Sequence, residues 1–152
     1  MQQLFRMGIS LLSFFLIASA QANPQNAENF GPYTAYYSVF NSTFISPEIA
    51  QIYNLNRGKD LAFVNIAVVK RGQNGSADSN GLAVDLEGAA IDLMQRRQAL
   101  KFIKIEEPGA TYYLAPFKFT HEEIWHFSID IASPDPAQSH RLEFNKKLYR
   151  ND

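Results

Sequence analysis

The chain has 152 residues, no cysteine, 14 Lys and Arg against 15 Asp and Glu, and a formal net charge of −1. The missing cysteines exclude thiol redox chemistry, thiolate metal sites, cysteine nucleophiles and a lipid anchor on a lipobox thiol. Near-neutral charge, with the cations scattered singly and in pairs, leaves no electrostatic footprint for nucleic acid.

Arg6 precedes an apolar run from Ile9 to Ala18, and the small-x-small sites Ala18-Ser19-Ala20 and Ala20-Gln21-Ala22 follow. The run is too short for a bilayer core of about 30 Å, which takes about 20 residues. A positive start, a short apolar run and an A-x-A exit predict a signal peptide over residues 1–22, cut after Ala22. An uncleaved anchor is the rival reading. The mature protein is expected to be exported, in the periplasm if the cell has two membranes. Residues 23–32 (NPQNAENFGP) are polar with Pro and Gly and read as a flexible leader. A single domain over 33–152 can bury roughly two-thirds of its unfolded surface and needs no disulfide staples.

Tyr33 to Phe40 has strand propensity throughout, with Tyr33, Ala35, Tyr37 and Val39 on one face. Ser46-Pro47-Glu48 marks a helix start: a capping hydroxyl, a proline at the first helical position and an acid at the positive dipole end. Ile49, Ile52 and Tyr53 then form one apolar stripe, and Asn54 or Gly58 can end the helix. So short a helix, spanning 46–55 at most, must dock its stripe on the body. Leu61 to Val69 is apolar on both faces apart from Asn65 and reads as a central strand. Lys70 to Gly81 is the longest polar loop, with Asn-Gly twice, and is expected to be mobile. Leu82, Val84 and Leu86 alternate with polar residues, and after Gly88 the apolar parity shifts to Ile91 and Leu93. A bulge at Gly88 would reset the faces in that way. A strand to about Met94 is expected, with a helix over Ala89 to Leu100 as the competing reading.

Pro108-Gly109 fits a type II turn joining strands Lys101–Glu107 and Ala110–Phe119. Glu123 to Ile131 alternates cleanly, Trp125, Phe127, Ile129 and Ile131 facing one way. After the proline-punctuated loop Ser133–Ser139, a last strand carries Leu142, Phe144 and Leu148 inward and lysines suited to an exposed edge. The pattern predicts an all-β protein, an immunoglobulin-like antiparallel sandwich of about seven or eight strands with one short helix near 46–55. A small barrel is the alternative.

The chemistry is mostly absent. His121-Glu122-Glu123-Ile124-Trp125-His126 has one residue too many for the H-E-x-x-H zinc motif, and on a strand its two histidines would face opposite ways. No G-x-S-x-G elbow or P-loop occurs. Asp85 and Glu87 would stand about 7 Å apart on one strand face, where a solvated surface explains them better than acid–base work. An exported copper carrier relies on clustered methionines or a His-Cys-Met set; Met94 is the one methionine beyond the signal peptide. No cofactor, metal or catalytic residue is therefore assigned, and the sequence leans against an enzyme. The Asn41-Ser42-Thr43 tripeptide carries no weight as a glycosylation signal. The mild positive hint is aromatic. Tyr36, Tyr37, Tyr53, Tyr112 and Tyr113 are the candidate contact surface, because tyrosine offers large area at low entropy cost.

Phe40-Asn41-Ser42-Thr43-Phe44-Ile45, then Pro47-Glu48-Ile49-Ala50 and Tyr53, resembles the start of a family of small exported proteins of unknown function from Gram-negative bacteria. Val84-Asp85-Leu86-Glu87-Gly88, Leu93-Met94, Leu100-Lys101-Phe102, Tyr112-Tyr113-Leu114 and Trp125-His126-Phe127 are similar to its later blocks. The resemblance spans the mature chain and implies an immunoglobulin-like sandwich in the periplasm, with no activity and no catalytic residues to carry over. The resulting expectation is a non-catalytic accessory or assembly factor whose partner is another envelope protein. The alternative is a small-molecule binder or hydrolase with a pocket between helix 46–55 and the sheet, lined by Tyr53, Asp85 or His126. A purely structural envelope protein is a third reading.

Overall fold

The computed structural model describes residues 26–72 and 81–151; the signal segment 1–22, its cleavage site and most of the polar loop expected to be mobile lie outside them. Nine strands are described: β1 (Ala27–Phe30), β2 (Tyr33–Asn41), β3 (Leu61–Lys70), β4 (Asp85–Asp92), β5 (Arg97–Leu100), β6 (Ile103–Glu107), β7 (Ala110–Lys118), β8 (Glu123–Ala132) and β9 (His140–Leu148). They form two antiparallel sheets, one in the order β1-β2-β3-β7-β6 and the other β5-β4-β8-β9. The sheets pack face to face as a sandwich, as expected.

Strand alternation builds the main core. Ala62, Val64, Ile66 and Val68 of β3 face Trp125, Phe127, Ile129 and Ile131 of β8 across the sandwich, with Tyr113, Ala115 and Phe117 beside them. Phe127 sits at the centre, edge-on to Phe117 and stacked on Phe144 with centroids 4.9 Å apart. The other face of β3 is covered too. Between β2 and β3 the chain makes a 3₁₀ turn and helix α1 (Pro47–Ile52). That insert lays Ile45, Ala50 and Leu55 on Phe63, Ile105 and Leu114, a second core on the outer face of the five-stranded sheet.

The helix follows its signals. Ser46 caps it by accepting from the Ile49 N–H at 3.3 Å, and Pro47 opens it. Asn54 adopts φ 52°, and the Leu55 N–H reaches back to the Ala50 carbonyl at 2.7 Å, closing a Schellman motif. The docking stripe differs from the expected one. Ile52 is 70% exposed, and Ala50 takes its place beside Ile49 and Tyr53. The small Ala50 lets the backbone approach the sheet, and Ile52, two residues and so about 200° further round the helix, then points away from it. Ser42 closes the excursion, its hydroxyl both accepting from and donating to the Gly58 backbone at 2.9 Å.

Three expectations are corrected. Residues 27–30 of the expected leader form β1, paired with β2 from Ala27↔Tyr36 to Phe30↔Tyr33 and pinned by the Glu28–His140 contact; Phe30 is buried and stacked on the His140 ring, and its burial is what holds the segment down. There is no bulge at Gly88: β4 pairs with β8 in unbroken register from Asp85↔Ala132 to Asp92↔Trp125. Gly88 instead faces inward opposite Ile129, and the parity shift puts Ile91 on the outer face. The strand that was expected to run to Met94 ends at Asp92. A turn over 93–96 leads into β5, so 89–100 is a hairpin and not a helix. The Pro108-Gly109 turn, with Gly109 at φ 85°, and the inward face of β8 match expectation.

Candidate functional site

The five candidate tyrosines do not share one face. Tyr37 and Tyr113 point inward. Tyr37 stacks on Phe144 with centroids 4.5 Å apart. Tyr113 is buried, and its hydroxyl oxygen accepts the Val84 N–H at 2.9 Å. Tyr36 lies half-buried on the outer face of β2. Tyr53 and Tyr112 converge on Glu107: the Tyr53 hydroxyl donates to Oε1 at 2.7 Å and Tyr112 to the same oxygen at 3.4 Å. The Glu107 bond raises the Tyr53 phenol above its ordinary value. Burial, with the Glu107 charge adding to it, raises Tyr112 further. This trio latches α1 to the β6–β7 hairpin.

The remaining polar side chains are mostly tied into the architecture as well. Burial works to raise the Asp92 carboxyl, but the backbone N–H and guanidinium of Arg96 outweigh it and hold it below the usual carboxylate range. Arg96 also reaches Glu123 at 3.2 Å. Arg141 clamps Asp130 with two bonds and lowers its carboxyl. The two histidines of the H-E-E-I-W-H stretch part company: His121 accepts the Arg150 N–H in the β7–β8 turn, while His126 meets Asn145 on the outer face of β8. Asn41 of the glycosylation tripeptide is buried, its amide donating to the Tyr149 carbonyl.

The space between α1 and the sheet is filled by the second core, so the pocket proposed there is not formed among the described residues. Two shallow grooves open elsewhere. One of about 480 Å³ runs beside Asp85, Glu87, Asp130 and Arg141, and the other of about 520 Å³ beside Lys104 and Tyr113. Asp85 borders both; Tyr53 and His126 border neither.

A feature the sequence reading missed is an apolar end. Phe44 (73% exposed), Leu93 (74%), Met94 (77%), Ile124 (39%) and Tyr149 (50%) stand in solvent. All five follow or flank strand ends on the same side of the sandwich, where β2, β4 and β9 finish and β5 and β8 begin. Extending the β4–β8 register by one places Leu93 directly beside Ile124. Hydrogen bonds tie the pieces together: Asn41 to Tyr149, Asn151 to Thr43, and Gln98 to Lys118 across the two sheets. The break in alternation at Leu93-Met94-Gln95-Arg96, two apolar residues in a row before a polar pair, is the sequence signal that could have marked this tip.

Residues 27–151 match the pattern of a family described as "Domain of unknown function (DUF4426)". No curated protein matches the chain. Among solved structures, a DUF4426 family protein (PA0388) from Pseudomonas aeruginosa PAO1 is similar at 27% identity and TM-score 0.70, covering 84% of this chain and 98% of its own. FetP of uropathogenic Escherichia coli strain F11, recombinantly expressed in the periplasm, shares the fold at 8% identity and TM-score 0.58, over 83% of this chain and 94% of its own. A copper-bound variant of FetP aligns at 9% identity and TM-score 0.57, over 82% and 95%. Among the described residues no three His, Asp or Glu side chains converge to hold a metal ion, and Met94 is exposed. No metal step is derived.

Proposed function

The chain belongs to the DUF4426 family, a domain of unknown function, and from that premise we propose that the protein is exported to the periplasm and acts there without catalysis, by contact with another component of the cell envelope. The exposed apolar end carries this reading. Exposed apolar side chains gathered in one place mark surfaces that meet something, and here Phe44, Leu93, Met94, Ile124 and Tyr149 stand exposed at one end of the sandwich, with Leu93 beside Ile124. Backbone conformation supports it. Gln95 and Glu122, both non-glycine residues at positive φ, form the turns on that side, and strained turns gather where surfaces act. The non-catalytic part is supported by the acids and histidines, several of which are bound to structural partners. The signal-like segment at residues 1–22 supports export.

Co-sedimentation with isolated envelope fragments tests the contact. The mature chain from residue 23, which contains every described element, is expected to pellet with them, and the double variant L93S/M94S is expected to stay in solution with unchanged thermal stability. Equal pelleting of parent and variant, or no pelleting of the parent, would overturn the reading. For export, N-terminal sequencing of the periplasmic protein is expected to begin at Asn23; an intact Met1 in a membrane fraction denies it.

A further inference from the structure

Resting on that contact reading, we propose that the partner of the apolar end is a bilayer surface rich in anionic phospholipid headgroups. The argument is charge complementarity around an apolar tip. Arg57, Lys59, Arg97, Lys118, Lys147 and Arg150 are all exposed. Each lies in a strand terminus, a connection or the tail at the end that presents Leu93 and Met94. None of the six has a carboxylate within 4.0 Å among the described residues. Of the acids at this end, Asp92 and Glu123 both hold Arg96, while Asp60 and Glu122 stand exposed beside Lys59 and His121, so the six cations still outnumber the acids left to them. At the opposite end the balance reverses, with Asp85 and Glu87 on β4 and Glu106 and Glu107 at the β6–β7 hairpin. The molecule therefore presents a cationic, apolar-tipped end and an acidic end.

That combination suits a membrane interface better than a protein patch. A protein interface buries its apolar core and leaves charges at a rim with partners of their own. An interfacial membrane contact instead wants a few apolar side chains to sink below headgroups while unpaired cations meet phosphates. Leu93 and Met94, side by side at a hairpin tip, supply the first; the six cations supply the second. Tyr149, with Lys147 over its ring at 5.1 Å, has the amphipathic shape that settles at headgroup level. The turn that carries them is also braced: the Asp92 carboxylate binds the Arg96 backbone and guanidinium.

Flotation with protein-free vesicles decides the matter. The mature chain is expected to float with phosphatidylglycerol-containing vesicles and not with purely phosphatidylcholine ones. Binding should fall sharply from about 0.1 to about 1 M salt, as the screening length shrinks from about 10 to about 3 Å. R97Q/R150Q is expected to weaken binding about 25-fold, at about fivefold per cation, and L93S/M94S at least about tenfold. The control is I52S, which removes an equally exposed apolar side chain from the helix, away from this end; it should stay within about twofold. Thermal melts of each variant separate misfolding from lost contact. A parent that pellets with envelope fragments yet ignores anionic vesicles would overturn the lipid proposal, leave the contact reading standing and point to a protein partner. Salt-insensitive binding to neutral vesicles would equally overturn it. Binding to neither fragments nor vesicles would bring down both.

Discussion

Replacing Gly88 with alanine sets two effects of opposite sign against each other. At ordinary strand dihedrals a Gly→Ala change narrows the unfolded ensemble and stabilises by about 0.4–1 kcal/mol. Gly88, however, faces Ile129 across the β4–β8 pair. A Cβ built there would lie 2.6 Å from the Ser128 carbonyl oxygen and 2.9 Å from the Ile129 Cα. Both contacts are backbone, so no rotamer change relieves them and β4 or β8 must shift, with the main core packed against both. Overpacking of this kind costs about 1–3 kcal/mol, and the steric loss wins. The net expectation is a destabilisation of about 1–2 kcal/mol and a melting temperature lower by roughly 3–10 °C. The buried Trp125, the single tryptophan, reports unfolding in urea. The midpoint should fall with the slope unchanged. A midpoint equal to or above the parent's would refute the inward, close-packed placement, because a solvent-facing bulge at Gly88 would tolerate alanine or gain from it.

Tyr113→Phe orphans the buried Val84 N–H and should cost about 1–3 kcal/mol in the same urea assay; an unchanged midpoint would deny that this bond links the two sheets. Tyr53 and Tyr112 have raised phenols, so their contribution is complete below the unfolded value near 10 and is lost as pH rises through their folded values. Tyr112→Phe should therefore lose less stability than the parent above about pH 10, and parallel alkaline curves would count against the Glu107 latch. Asp92 is held low by Arg96; its contribution is present above the unfolded value near 3.9 and is lost as pH falls through the lower folded one. Asp92→Asn should accordingly flatten the acid limb of the stability profile, and an unaltered limb would show that the Arg96 pairing is not a source of it.

How far the fold could be read in advance follows from which signals were local. Period-two alternation at Glu123–Ile131, the Ser46-Pro47-Glu48 cap and the Pro108-Gly109 turn are each decided by a few neighbouring residues, and all three stand as read. Gly88 was misread because a glycine in a strand has two meanings, a bulge or a close approach, and only the facing strand separates them. Ile52 was misread because the roll of a six-residue helix is set by what lies under it, Phe63, Ile105 and Leu114, which are distant in sequence. The leader was misread at Phe30, whose burial depends on His140 of β9. The candidate surface fared similarly. Adjacent tyrosines had to split between faces, but which member faced inward was a matter of register. The apolar end was invisible, since Phe44, Leu93, Ile124 and Tyr149 come to one side of the sandwich only when four separate strand ends are brought there.

Those strand ends meet in a fixed way because the sandwich is asymmetric. The α1 insert covers the outer face of the five-stranded sheet and gives Phe63 a core of its own, while among the described residues the outer face of the β5-β4-β8-β9 sheet carries polar side chains such as Ser128, Asp130 and Glu143. The insert also anchors the C-terminal tail, through Asn41 to Tyr149 and Thr43 to Asn151. Without it, the tail would lose its Thr43–Asn151 tie. The 42–60 excursion thus does two things at once. It closes a second core through Ile45, Ala50 and Leu55, and its Thr43 helps tie the tail to the end of β2. A substitution that breaks the Ser42–Gly58 clamp should then loosen the cationic, apolar end before it melts the main core. Hydrogen exchange on Ser42→Ala would show that order as early exchange at the Ile45 and Leu55 amides with β3 and β8 still protected; simultaneous exchange of all four segments would mean that the insert and the sandwich are one cooperative unit, and that the end is held by the whole fold rather than by the clamp.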